Sequence, residues 1–311
     1  MNRQEIIRGI INSIRRHRQY AEDLRDSDYE AALKDSQFRA LDTRRRELII
    51  KLAQAESGQA AVLQAEYDAV LNKLDTVTKR LKLNPFKVGY NCALCGDNGY
   101  IEGKLCSCAR KMLFDKLKSI SGVGHGAPYA FDMHNKALFA GLPQEKTINV
   151  LYGKLKSYAK IFPDMKYNNI ILSGGIGTGK TFALSAFSNA VLNRGFMTLY
   201  ITAFEMHEAF LRYHTAPYDE KALHIDNLLN ADLLVIDDLG TEPVFRNVTL
   251  EYLYLIISER MRNSRPILLS TNLDPELLMS RYGERIFSRL LDKNNSRIFN
   301  IDGDDLRFIR K

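Results

Sequence analysis

At 311 residues the chain exceeds the roughly 100–200 residues of a single domain, so two or three folded units are expected. Its 45% hydrophobic and 26% charged residues exclude disordered and collagen-like chains, and no apolar run approaches the roughly 18 residues of a membrane span. The net charge of +7 suits a polyanionic partner such as nucleic acid, because Lys and Arg displace counterions from phosphates, but it suits a merely soluble surface equally well. The N-terminal stretch MNRQEIIRGIINSIRRHR mixes charges into its apolar positions, which is not a signal-peptide core, so the expected location is cytoplasmic, with no membrane partner.

Residues 1–84 contain no proline and only two glycines, Gly9 and Gly58, and are rich in helix formers. Ile6, Ile7, Ile10, Ile11 and Ile14 fall on one helical face, and Leu63, Tyr67, Val70, Leu74, Val77 and Leu81 on another. Packing within the chain and a partner-binding helical hairpin are both consistent with such stripes. Pro85 closes the helical run, giving a helical N-terminal domain over residues 1–86.

All four cysteines come next, in CALCGDNGYIEGKLCSC, and residues 87–115 are expected to form a small module around them. In a reducing compartment clustered thiols point to metal or redox chemistry rather than disulfides. Cys92 and Cys95 form a C-x-x-C turn with Gly96 behind it, and Cys106 and Cys108 complete four soft ligands, which favours tetrahedral Zn²⁺. An iron–sulfur cluster and reduced structural thiols are the alternatives. Four thiolates leave no open position for water, so the zinc is expected to be structural, pinning the helical arm to the C-terminal domain.

A short helix around Lys111–Ser119 and the glycine-rich SGVGHGAP place a linker over residues 116–145. The remaining residues, 146–311, open with an amphipathic helix between Thr147 and Phe162. They then alternate apolar strands (NIILSG, FMTLYIT, DLLVIDDLG, RPILLSTN) with helices, the pattern of an α/β fold with a parallel sheet covered on both faces.

Between the first strand and the helix TFALSAFSNAVLNR, Gly174, Gly175, Ile176, Gly177, Thr178, Gly179, Lys180 and Thr181 satisfy G-x-x-x-x-G-K-[ST] in the strand–loop–helix setting that the motif requires. Glycines let backbone N–H groups crowd toward phosphate oxygens, and the helix N-terminus adds partial positive charge. Lys180 is expected to reach the β and γ phosphates of ATP, and the Thr181 hydroxyl to ligate Mg²⁺. LLVIDDLG ends in two carboxylates where an open α/β sheet places its ligand chemistry: Asp237 to hold the metal, Asp238 to polarise the attacking water. Asn272, after the next strand, is an amide able to orient water near the γ phosphate. Arg281, Arg285 and Arg289 would share one helical face if a single helix carried them, and such a guanidinium can reach a neighbouring subunit's γ phosphate. Arg307, on an expected short helix at GDDLR, is a candidate second phosphate contact.

The order of phosphate loop, VIDDLGTEP, S-T-N strand, GERIFSRL and a terminal G-x-D-x-R resembles the AAA+ helicase loaders of the DnaC/DnaI type and their transposition-helper relative IstB, from about Phe131 to the C-terminus. By that resemblance Asn272 corresponds to sensor 1, Arg289 to the arginine finger with Arg285 beside it, and Arg307 to sensor 2. Many AAA+ enzymes have Asp-Glu where this chain has Asp237-Asp238, so a slow ATPase is expected. The resemblance further implies an ATP/ADP-bound protein that self-associates through its ATP interface, binds single-stranded DNA and delivers the hexameric replicative DNA helicase onto it, with the N-terminal domain gripping the helicase. Phe204, Phe245 and Arg246 are candidates for base stacking and phosphate contact, against a core role for the aromatics. An IstB-like transposition helper and a nucleotide-sensing adaptor without significant turnover are the competing functions.

Overall fold

The computed structural model describes residues 3–55, 57–121 and 129–308. The expected SGVGHGAP linker therefore lies, except for Ser121, outside the described residues. Two compact units emerge: Gly9–Ala109, and Met1–Arg8 together with Arg110–Lys311.

In the first unit, the proline-free run folds as three helices, α1 (Arg3–Ala32, whose first turns belong to the second unit), α2 (Ser36–Gln54) and α3 (Ser57–Leu81). Asp35 starts α2 as its N-cap, its carboxylate accepting from the Phe38 N–H at 2.9 Å. The predicted stripe on α3 faces inward: Val70, Leu74 and Val77 are buried with Phe38 and Leu48, and Leu63, Tyr67 and Leu81 pack against them. Past Pro85 comes a two-stranded hairpin, β1 (Tyr100–Ile101) and β2 (Lys104–Leu105), between the two cysteine pairs. Its turn residues Glu102 and Gly103 both have positive φ, 47° and 75°, as a two-residue turn matched to strand twist requires. Helix α4 (Ser107–Ile120) begins at the second pair and is longer than the predicted piece.

In the second unit, α5 (Glu145–Ile161) precedes β3 (Asn169–Gly174), α6 (Lys180–Asn193), β4 (Thr198–Thr202), α7 (Ala203–Thr215), α8 (Lys221–Asn230) and β5 (Leu233–Leu239). A π-helical turn at Arg246–Leu250 leads into α9 (Glu251–Arg262), followed by β6 (Ile267–Thr271), α10 (Pro275–Tyr282), α11 (Glu284–Leu290) and β7 (Ser296–Ile301). The five long strands pair in the order β4-β5-β6-β3-β7, all parallel. The four predicted strands are present. The fifth, SRIFNI, lies at the edge and buries only Ser296, Phe299 and Ile301, so it lacks the continuous apolar signature of the central strands.

Two local expectations are corrected. Arg281 does not share a helix with Arg285 and Arg289: Gly283, at φ 79° and ψ 164°, ends α10 and starts α11. GDDLR forms no helix; Arg307 lies in a turn.

Candidate nucleotide site

The phosphate loop joins the C-terminal end of β3, the strand between β6 and β7, to the first turn of α6. Gly177 and Gly179 have φ of 70° and 102°, a left-handed backbone that turns the loop sharply and that a side chain would strain. Lys180 is buried, and its ammonium donates to the Gly174 carbonyl at 2.8 Å, the Gly175 carbonyl at 2.6 Å and Asn272 Oδ1 at 2.6 Å. Burial lowers the Lys180 pKa despite the two nearby aspartates, so its charged form gains from an arriving anion.

The two acids at the end of β5 are held differently. Asp237 is buried; its Oδ1 accepts from Ser270 Oγ at 2.5 Å and from Thr181 Oγ1 at 3.4 Å, and its Oδ2 from the Tyr200 hydroxyl at 2.7 Å. The β5–β6 register slips between Ile236 and Leu239, and Asp238 takes φ 56° with its N–H on Ser270 Oγ at 2.8 Å. Its carboxylate lines the cleft, and burial, with Asp237 adding repulsion, raises its pKa.

A cleft of about 640 Å³ opens over the loop, walled by Tyr129, Met133, Leu138, Ile176 and Phe182 on its apolar side and by Lys180, Thr181, Asp238, Asn272 and Arg307 on its polar side. The Tyr129 and Phe182 rings lie 4.9 Å apart. An apolar wall opposite a phosphate loop can take a nucleobase while the loop takes phosphates. Gly174 to Thr181, Asp237, Asp238, Asn272 and Arg307 thus converge. The hydroxyl and carboxylate of Thr181 and Asp237 form a hard-oxygen pair suited to Mg²⁺.

Arg285 and Arg289 do not line this cleft. They lie on α11 with their guanidinium groups over the Tyr254 ring, 4.3 and 4.4 Å from its centre, and the Arg285 hydrogen bond lowers the Tyr254 pKa. Arg281 donates to the Glu242 carbonyl. Phe204 and Phe245 are 52% and 50% exposed, neither a core residue, and Phe245 meets His207 edge to face.

In the first unit, the sulfur atoms of Cys92, Cys95, Cys106 and Cys108 all lie within 4.8 Å of one another, with Cys92 to Cys106 at 3.8 Å and Cys95 to Cys108 at 3.6 Å. Zn–S bonds of about 2.3 Å in a tetrahedron put sulfurs about 3.8 Å apart, so the four fit that ion. The Gly99 N–H points at Cys95 Sγ, 3.4 Å away. The turn is shaped by Asp97, whose buried carboxylate accepts from the Asn91 and Cys92 N–H groups, each at 2.8 Å. The Cys108 backbone, ahead of smaller contributions, pulls the Cys106 thiol down to about 6.

The sequence is similar to those of known proteins over the part that carries this cleft. The IstB-like ATP binding protein family matches residues 153–311, just over half of the chain. The chain belongs to that family. Among its relatives, the replicative helicase loader DnaC of Escherichia coli (strain K12) is 33% identical over 162 residues, 51% of this chain and 64% of DnaC. The chain thus spans just under two thirds of that relative's length. The phage-like element PBSX protein XkdC of Bacillus subtilis (strain 168) is 26% identical over 229 residues, 69% of this chain and 83% of its own. A crystal structure of the DnaC helicase loader superimposes on 57% of this chain and 98% of its own at a TM-score of 0.47 and 20% identity. The family is an ATP-binding one of the AAA+ kind, with kinship to replication-initiation proteins. Among the described residues, no helix is long and apolar enough to cross a membrane.

Sequence reasoning missed Tyr200 and Ser270, which hold Asp237, and Gln144, whose amide reaches residue 304. Nothing local marks these three: their roles depend on partners 33 to 160 residues away.

Proposed function

We propose that this protein is an ATP-dependent loader that delivers the hexameric replicative DNA helicase onto single-stranded DNA during replication initiation or restart. The observation that carries the proposal is the convergence, at the carboxyl ends of the interior strands β3, β5 and β6, of Lys180 on Asn272 and of Thr181 on Asp237, in a chain similar to DnaC over its C-terminal part.

In this reading the loop amides of Gly174 to Gly179 and the Lys180 ammonium bind the β and γ phosphates of ATP, Lys180 exchanging its carbonyl contacts for phosphate oxygens. Thr181 and Asp237 would hold Mg²⁺, which when bound neutralises charge on the phosphates. Asp238 takes the proton from the attacking water and Asn272 orients it. Arg307 contacts phosphate within the subunit. Arg289, with Arg285 beside it, serves the site of an adjoining copy, which their absence from their own cleft supports. ATP then promotes self-association and hydrolysis releases it. Residues 1–86 grip the helicase, the zinc-bound cysteines stiffen their attachment, and Phe204, Phe245 and Arg246 contact the single strand.

The test combines the purified protein, the host's replicative helicase, ATP and a circular single strand, with unwinding as the readout. Loading is expected with ATP and lost with Lys180→Ala or Arg289→Ala. Mixing those two inactive variants should restore part of the ATPase, since each supplies what the other lacks. Binding to a transposase in place of the helicase would support instead the IstB-like helper function, and ATP binding without turnover in any mixture would support an adaptor.

A further inference from the structure

The C-terminal turn that carries Arg307 is tied down on both sides, and α5 anchors the whole arrangement. Gln144, immediately before α5, is fully buried. Its Nε2 donates to the Asp304 carbonyl at 2.8 Å and its Oε1 accepts from the Asp304 N–H at 3.1 Å, so one amide side chain satisfies both backbone groups of a residue 160 positions away. A Cβ on Gly303 would overlap that same amide. Two residues beyond Asp304, the Leu306 N–H donates to the Gly177 carbonyl at 3.1 Å, directly on the phosphate loop. The Asp305 carboxylate sits where a side chain on Gly177 would have to be, and it accepts from the Arg307 N–H at 2.9 Å.

The same helix reaches the other end of the loop. The Tyr152 hydroxyl donates to the Gly179 carbonyl at 3.3 Å, and Gly179 abuts Tyr152, Phe139 and Ile148. One rigid element therefore fixes both the loop that would cradle the phosphates and the turn that carries Arg307 to the rim of the cleft.

We infer that Gln144 is a positioning residue for nucleotide affinity: through Gly303 and Asp304 it sets the height of Arg307 over the phosphate loop. This rests on the reading that the cleft takes ATP and that Arg307 contacts it. The requirement for both a donor and an acceptor at the end of a two-methylene arm explains why an amide, and a long one, occupies this position.

The test measures binding of a fluorescent ATP analogue to the full chain, as wild type, Arg307→Ala, Gln144→Ala, Gly303→Ala and the double variant Gln144→Ala/Arg307→Ala. Loss of two hydrogen bonds at a buried amide is expected to weaken binding roughly tenfold. Gly303→Ala, in an exposed stretch, should do the same without removing any core side chain. The double variant should bind no worse than Arg307→Ala, because residues acting through one contact are not additive. Trypsin should cut after Arg307 faster in Gln144→Ala and Gly303→Ala than in wild type. If wild type takes up no ATP analogue, the reading of the cleft fails and the inference with it. If wild type binds but Arg307→Ala matches it, or Gln144→Ala and Gly303→Ala match it, or the double variant shows additive losses, the inference alone is overturned.

Discussion

Ser270 is the point at which the two acids can be perturbed together without touching either. Its hydroxyl donates to Asp237 Oδ1 at 2.5 Å and accepts from the Asp238 N–H at 2.8 Å, and the residue is fully buried. In Ser270→Ala, Asp237 Oδ1 retains only the 3.4 Å contact from Thr181, and the Asp238 N–H, in a left-handed backbone, loses its partner. A hydrogen bond to a charged group contributes about 1.5–3 kcal/mol. If that loss falls on the bound metal and the transition state, it corresponds to roughly a ten- to hundredfold fall in kcat, at about 1.4 kcal/mol per tenfold. Because Asp237 is the proposed metal carboxylate, the Mg²⁺ concentration for half-maximal ATPase should rise in the variant. ATP binding without Mg²⁺ should stay close to wild type, since Lys180 and the loop amides are untouched. Steady-state ATPase across a magnesium titration measures both effects. A variant with wild-type kcat and an unchanged magnesium requirement would refute the assignment of Ser270 as the bracket for these carboxylates.

Two further predictions address the other acid and the thiols. Burial raises the Asp238 pKa, so in the fold its charged form carries a cost that is absent below the unfolded carboxylate pKa and complete once pH exceeds the folded value. Asp238→Asn should therefore raise the melting temperature at pH 7, the gain shrinking as pH falls toward about 4; a gain equally large at low pH would contradict this. For the thiols, elemental analysis should find zinc bound to the purified chain, and Cys106→Ser should lose it and make the first unit unfold at lower denaturant concentration, since metal affinity is folding free energy when the site forms only in the fold. A visible iron–sulfur absorption, or a full complement of zinc in the variant, would argue against the site.

What could be read from the chain alone divides along the distance between interacting residues. The phosphate loop, the acid-ended strand and the C-x-x-C turn are legible because the chemistry needs particular residue types at fixed local spacing: glycines before Lys180, carboxylates closing an apolar run, Cys95 three residues after Cys92. The helix break at Gly283 is also written locally, as a glycine inside RYGERIF, although the four-residue spacing of the arginines points the other way. Tyr200 is different in kind. In FMTLYIT it is one more residue of a β-prone strand, and it becomes the partner of Asp237 only because parallel pairing sets Tyr200 beside Val235 and Thr202 beside Asp237. Ser270 likewise reads as strand filler until β6 docks beside β5. The residues proposed to act on the nucleotide are therefore legible, whereas those that hold them in place are supplied by strand register and by the return of the C-terminal turn to Gln144. Side chains of this second kind carry no motif, so they are where substitutions should separate binding from turnover while every recognisable signature of the family stays intact.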